Sequence, residues 1–238
     1  MAQRKIQAAD EFRRWSDRYD RSIFQWLLFG PSHRAMLASL RARFGDRPVK
    51  ILDVGCGTGV FAAHLLATFT KAQVWGVDLV AGMLRGGRER WRRHRGHLVP
   101  VQGDSERLPF ASGSFDVVTC ANSFHHYPHQ DRALAEMHRV LRPGGRLLLL
   151  DAYRDRPFGW FLYDVCIKMV EGDIHHNSRA EFRDRLGRAG FQQIQQRIHR
   201  GYMPFLLNEA VAGTVPPART PHAGAAGASQ PAPVRAAG

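Results

Sequence analysis

An α/β fold built on a doubly wound, mostly parallel sheet is predicted for this chain by three observations. Short apolar runs alternate with helical stretches from about residue 48 onward, the alternation expected of strands joined by crossover helices. A glycine-rich loop, Asp53-Val54-Gly55-Cys56-Gly57-Thr58-Gly59, joins the first run to the helix after it. The fifth run carries Leu147, Leu148, Leu149 and Leu150 in succession, which suits a strand buried on both faces.

Element by element, residues 50–54 read as the first strand and 58–68 as a helix. The second strand is 73–78, followed by a helix over 80–93. Residues 97–102 and 115–120 are the third and fourth strands. A helix over 131–141 is stopped by Pro143-Gly144-Gly145, and 146–151 form the fifth strand. Beyond it lie an apolar segment, 157–170, a helix over 178–189, and strands over 191–198 and 201–206. Ahead of the sheet, Phe12, Trp15, Tyr19, Ile23 and Leu27 recur at helical spacing within residues 8–29, with a break near Asp20. Gly30-Pro31 ends that helix, and a second runs to about Phe44. Residues 213–238 hold Ala, Pro and Gly with almost no bulky apolar side chains, too little to offset chain entropy, and are expected to be disordered. The chain therefore divides into a helical cap (1–46), a ligand-binding α/β domain (47–210) and a tail (211–238).

With 238 residues and 44% hydrophobic side chains, a substantial core is available. Cys56, Cys120 and Cys166 are too few and too scattered for a disulfide framework. The N-terminus has no apolar signal region, and no stretch nears the ~20 apolar residues of a membrane span. A cytoplasmic protein is expected, with peripheral membrane contact left open. The formal charge is +13, yet all but four of the 34 cationic residues are arginine. That bias spreads over the whole chain, which argues for solvated arginines over a dedicated nucleic-acid surface. The densest run, from Arg85 to Arg95, circles its helix instead of forming one stripe.

The glycine loop has a chemical reason. A strand must end, turn tightly and start a helix, and glycines allow the turn and the close approach of a ligand. The helix N-terminus beyond it suits a carboxylate or phosphate. The dinucleotide pattern GxGxxG requires glycine at position 60, but Val60 stands there and the third glycine comes early, at Gly59. Asp78 ends the second strand, where a carboxylate accepts hydrogen bonds from ribose hydroxyls. The alternative is an ordinary strand-closing aspartate. Asp104 follows the third strand and suits an adenine amino group, or else serves only the turn.

Taken in order, ILDVGCGTG, VWGVDL, QGDSERLPF, FDVVTCANSFHHYP and EMHRVLRPGGRLLLLD resemble the successive motifs of class I S-adenosylmethionine-dependent methyltransferases. The nearest likeness is to the small-molecule branch of ubiquinone/menaquinone C-methyltransferases, and it covers residues 48–152. The resemblance implies a Rossmann-like sheet of seven strands, order 3214576, with strand seven antiparallel. It also implies S-adenosylmethionine as co-substrate. Gly55, Gly57 and Gly59 would hold the methionine end, with Asp53 and Cys56 in the same loop. Asp78 would hold the ribose and Asp104 the adenine, flanked by Leu79, Met83 and Ser105. Asn122 would lie near the sulfonium.

Methyl transfer needs alignment and a dry site, plus a base where the acceptor must lose a proton. His125 and His126, past the fourth strand, are the candidates; the alternative is that they shape the pocket. His129 extends them to the run HHYPH, and His175-His176 forms a second pair, but no full ligand set is spaced for a metal, and none is expected. The cap aromatics Trp15, Tyr19, Phe24 and Trp26, with Phe158, Trp160, Phe161 and Tyr163, suggest a small apolar or aromatic acceptor of quinone, phenol, lipid or natural-product type. No nucleic-acid partner is expected, and the chain is expected to act as a monomer or homodimer. The rivals are an RNA or protein methyltransferase using the basic surface, a dinucleotide-dependent hydride-transfer enzyme, and a non-catalytic protein that kept the cofactor fold.

Overall fold

Apolar strands set the architecture. Ile51, Leu52 and Val54 are at most 1% exposed, as are Val117, Val118 and Leu147 to Leu150, so these strands can lie only at the centre of a covered sheet. The computed structural model describes residues 23–155, 175–200 and 204–214. Its strands are β1 (Lys50–Val54), β2 (Gln73–Asp78), β3 (Leu98–Gln102), β4 (Phe115–Ala121), β5 (Leu141–Ala152), β6 (Phe191–Arg200) and β7 (Pro204–Ala212). They form one sheet in the order β3-β2-β1-β4-β5-β7-β6. The first five pair in parallel, and β7 runs antiparallel between β5 and β6. This is the seven-stranded sheet that the motifs implied.

Helices cover both faces. The helices are α1 (Ile23–Phe44), α2 (Val60–Thr68), α3 (Ala81–Gly86), α4 (Arg88–Arg93), α5 (Gln130–Val140) and α6 (Arg179–Arg188), with a short 3₁₀ turn at Phe124–His126. Met36 and Leu40 of α1, Phe61 and Leu65 of α2 and Trp91 of α4 pack in one core cluster. Leu134 and Met137 of α5, Phe182 and Leu186 of α6 and Phe124 pack in the other. Ser178 caps α6 through a reciprocal pair with Glu181, which explains its sharp start after residue 177.

Several boundaries differ from the sequence reading. Gly30-Pro31 does not end a helix: α1 runs through Pro31. Proline removes one amide donor, but the half beyond it is held by fully buried Met36 and Leu40 and by Ser39 Oγ donating to Glu209 Oε2 at 2.6 Å. The helix expected over 80–93 is two, broken at Gly87, where a Cβ would fall 2.1 Å from the Thr58 carbonyl oxygen. Pro143-Gly144-Gly145 lies within β5 as an irregularity in its pairing with β4, not ahead of the strand. β7 extends six residues past Leu206, into the region assigned to the tail. Asn208 and Glu209 break the apolar pattern there, yet both are buried with partners: Gln196 Nε2 donates to Asn208 Oδ1 at 2.9 Å. Of the expected cap, residues 1–22 lie outside the described residues, as do 156–174 and the tail from 215.

Candidate functional site

The C-terminal ends of β1, β2, β4 and β5 converge on one edge of the sheet, the edge where open α/β sheets place ligands. The glycine loop leaves β1 with Gly55, Gly57 and Gly59 at φ 72°, 56° and 79°, left-handed backbone that favours glycine. Gly55 and Cys56 donate their N–H groups to the Val77 carbonyl at 2.8 and 3.1 Å, folding the loop over the end of β2. Space is as tight as conformation. A Cβ on Gly55 would lie 2.2 Å from Ser123 Oγ, and one on Gly59 2.0 Å from the Trp91 ring.

Asp78 is joined directly to this loop. Its Oδ2 accepts the Gly57 N–H and its Oδ1 the Val80 N–H, both at 2.8 Å. Burial pushes its carboxyl above the usual range, opposed by those two bonds. Asp53, 2% exposed at the end of β1, accepts from Thr119 Oγ1 at 2.7 Å. Burial raises its pKa to about 7; the Thr119 bond opposes the rise and the nearby Asp78 charge adds to it. Two carboxylates are thus crowded at one strand edge with little water to screen them. Burial, with Asp78 and Asp53 nearby, also pushes the Cys56 thiol well up, so it stays protonated.

The remaining expected contacts fall around this pair. Met83 is buried, and its Cε would meet a Cβ on Gly57 at 3.2 Å. Leu79 is 40% exposed at the mouth of the loop. Gly103 donates to the Asp78 carbonyl at 3.0 Å, which brings the Asp104-Ser105 turn alongside. Asp104 Oδ1 accepts the Glu106 N–H at 3.0 Å, so this side chain does serve its own turn. Asn122 sits at φ 55°, its N–H donating to the Leu150 carbonyl at 2.9 Å. Both polar atoms of its side-chain amide are buried without a hydrogen-bond partner. An unmet buried amide costs about 1–3 kcal/mol, which a ligand at this edge would recover.

Past Asn122, Ser123 Oγ donates to the Val54 carbonyl at 3.3 Å and lies 3.0 Å from Tyr127 Oη and 3.2 Å from Cys120 Sγ. Burial pushes Cys120 up to about 12 and Tyr127 well above its ordinary value, so both remain neutral supports. His125 lies within the 3₁₀ turn. Its N–H donates to Asp151 Oδ2 at 2.9 Å, and its Nδ1 lies 2.6 Å from Asp151 Oδ1. His126 packs at 4.0 Å from the His125 ring centroid, and His176 stacks on His125 at 5.1 Å. Burial, then the His125 and His176 charges, hold His126 well below the usual imidazole range. His176 is lowered to about 4, first by burial and then by His125.

Sequence reading brought Asp53, Asp78, the three glycines, Met83, Asn122 and His125 to one edge. It missed Asp151, although this residue ends β5 as Asp53 and Asp78 sit at the ends of β1 and β2, and the same position rule points to it. It also missed Thr119, Gln130 and Asn177, which carry no spacing signal because their partners are distant in sequence. Trp91 was not singled out either; it fills the space under Gly59. Of the arginine run, Arg90 turns inward to the Thr58 carbonyl at 2.6 Å and Arg92 pairs with Glu89 at 3.0 Å, so no single basic stripe forms. Among the described residues no group of three or more His, Cys, Asp or Glu is arranged to hold a metal ion, and no helix is long and apolar enough to cross a membrane. Cys56 and Cys120 are free thiols, and Cys166 lies outside the described residues.

Comparison with known proteins bears on this geometry. Residues 51–145 match a family described as a methyltransferase domain. The ubiquinone/menaquinone biosynthesis C-methyltransferase UbiE of Bordetella parapertussis is 38% identical over 172 residues, covering 69% of this chain and 66% of that enzyme, just under two thirds of its length. A Haloferax volcanii protein solved in complex with the Trm112 methyltransferase activator superposes with a TM-score of 0.70 at 20% identity, covering 85% of this chain and 97% of its own. A SAM-dependent methyltransferase from Aquifex aeolicus gives a TM-score of 0.63 at 19% identity, covering 84% and 98%. With that domain matched from the glycine loop into β5, and the sheet order those motifs imply, residues 51–145 are a methyltransferase domain on a class I methyltransferase sheet, and the chain is similar to the ubiquinone/menaquinone C-methyltransferases.

Proposed function

We propose that this protein transfers a methyl group from S-adenosylmethionine to a small acceptor whose reacting group loses a proton. The observation that carries the reading is the pair of carboxylates, buried Asp53 and half-buried Asp78, bracketing a left-handed glycine loop. Their mutual repulsion is relieved by a cationic ligand, and Asn122 offers an unmet amide beside them. The glycine loop takes the methionine end and Asp78 the ribose, since each of its oxygens has a lone pair left after the backbone bonds. Met83, Leu79, Ser105 and Asp104 take the adenine end. S-adenosylmethionine supplies an activated methyl on a sulfonium, so no covalent nucleophile is needed.

His125 is the base. With Nδ1 donating to Asp151, Nε2 is the ring nitrogen that takes the proton. Asp151, 1% exposed, stabilises the imidazolium that results. His126 and His176, held neutral, form the pocket wall. This polar cluster faces the reacting end of the acceptor. The rest of the acceptor is apolar or aromatic, as in quinones, phenols and lipid-like natural products, in keeping with the UbiE relatives, which are ubiquinone/menaquinone biosynthesis C-methyltransferases.

Isothermal titration tests the cofactor half: S-adenosylmethionine and its demethylated product both bind, and Asp78→Ala loses both. Tight binding of a nicotinamide dinucleotide instead would overturn it. Turnover on 1,4-naphthohydroquinone and catechol tests the acceptor half, with His125→Asn lowering kcat by about 10²–10⁴-fold. Methylation of polar or macromolecular acceptors alone would remove it.

A further inference from the structure

Gln130, the first residue of α5, is 5% exposed. A buried amide is costly unless bonded, and this one is bonded in three directions. Its Nε2 donates to the Phe124 carbonyl at 3.2 Å and to the His175 carbonyl at 2.9 Å. Its Oε1 accepts from Asn177 Nδ2 at 2.8 Å. Phe124 immediately precedes His125, while His175 and Asn177 stand on either side of His176.

The connection closes on itself. Asn177, 4% exposed, accepts at Oδ1 from Arg185 Nε at 3.0 Å, and Arg185 reaches Asp131, the neighbour of Gln130, at 2.6 Å. The His175 N–H donates to the His125 carbonyl at 2.9 Å. Two backbone segments from opposite sides of β5 in the sequence are thereby locked together, and the His125 and His176 rings stack at 5.1 Å with 22° between their planes.

We propose that Gln130 is a positioning residue for the proton-accepting imidazole. It clamps the backbone beside His125 and at His175, and the side chain of Asn177 beyond His176, so that His176 covers one face of His125 while Asp151 holds its Nδ1 edge. This rests on the reading of His125 as the base. A base carried on a turn needs such support, because a misplacement of about 1 Å costs about 10²-fold in rate. A neutral amide supplies it without adding charge to a crowded cluster. The groups facing His176 are His125, His126, His175, Asp151 and Arg154. Kept neutral among them, His176 leaves the acceptor's proton to His125.

Gln130→Leu keeps the volume and removes all three bonds. Histidine side-chain NMR titration of the full chain needs no acceptor. It is expected to show His176 titrating in the variant well above about 4, near the ordinary 6.5. Binding of S-adenosylhomocysteine stays within twofold, since the glycine loop and Asp78 are untouched. On 1,4-naphthohydroquinone, kcat falls by about 10²-fold with KM little changed. Should Gln130→Leu not fold, Asn177→Ala removes one strut and is read in the same way. A folded variant in which His176 still titrates near 4, or in which kcat and its pH profile are unmoved, overturns the inference. His125→Asn separates the two readings. Normal turnover there removes the base itself, whereas lost turnover there with full activity in Gln130→Leu removes only the clamp.

Discussion

In the proposed reading, Asp53 sets ligand binding against stability at a single carboxylate. Its folded pKa is raised to about 7, so between pH 3.8 and 7 the folded chain holds a proton that the unfolded chain has lost. Stability from this group therefore falls as pH rises through that window, and above it the ionised side chain stays buried at a cost. Asp53→Asn keeps an oxygen for the Thr119 hydroxyl and removes the charge. It is expected to stabilise the unliganded protein by about 2–4 kcal/mol at pH 8 and by little at pH 4. It should also weaken S-adenosylmethionine binding at least tenfold, and binding of the uncharged-sulfur product by less. Urea denaturation at the two pH values and calorimetry with both ligands check this. Equal stability at pH 8 would show that Asp53 carries no buried charge. His33 works in the opposite sense. Burial, then the His64 charge, lowers it to about 4, so its contribution is lost as pH falls from 6.5 toward 4.

The glycine loop, α2 and α4 form one element of the site. Gly59 is the N-cap of α2, at φ 79°, and the Trp91 ring of α4 fills the volume where its side chain would go. The ring is in turn fixed by its Nε1 donating to the Leu84 carbonyl at 2.9 Å. Gly59→Ala therefore meets a positive φ and a flat, immobile neighbour at once. It is expected to destabilise the protein by about 2–4 kcal/mol and to shift the start of α2, weakening cofactor binding through the loop. A melting temperature within a degree of the parent would show that Trp91 can move aside. The early third glycine was visible in the sequence and separated this loop from the dinucleotide pattern. Its packing against a tryptophan thirty-odd residues away was not.

Charge is a property of the whole molecule. At a formal +13 the folded chain repels itself, while the ion pairs among the described residues, such as Arg142 with Asp116, are mostly at the surface and weak. Raising NaCl from about 10 to 150 mM, which shortens the screening length toward 8 Å, is expected to raise the melting temperature. A fall on adding salt would mean that attractive surface pairs dominate. An RNA-binding surface would instead announce itself by affinity that drops steeply with salt.

The sequence by itself determined the class of fold and marked most of the residues at the edge proposed to hold the cofactor. Strand periodicity, the glycine spacing and the strand-ending Asp53 and Asp78 are local signals, because backbone conformation and chain direction are dictated by near neighbours. It also marked His125 and His126, but as equals. Only the tertiary structure told them apart, since that depends on which imidazole meets Asp151, twenty-six positions from His125, and which packs against the His125 ring. The same holds for α1 continuing through Pro31, for β7 running past Leu206, and for Gln130 joining Phe124 to His175. Each rests on contacts between residues far apart in the chain, whose energies exceed the local preferences that a sequence displays.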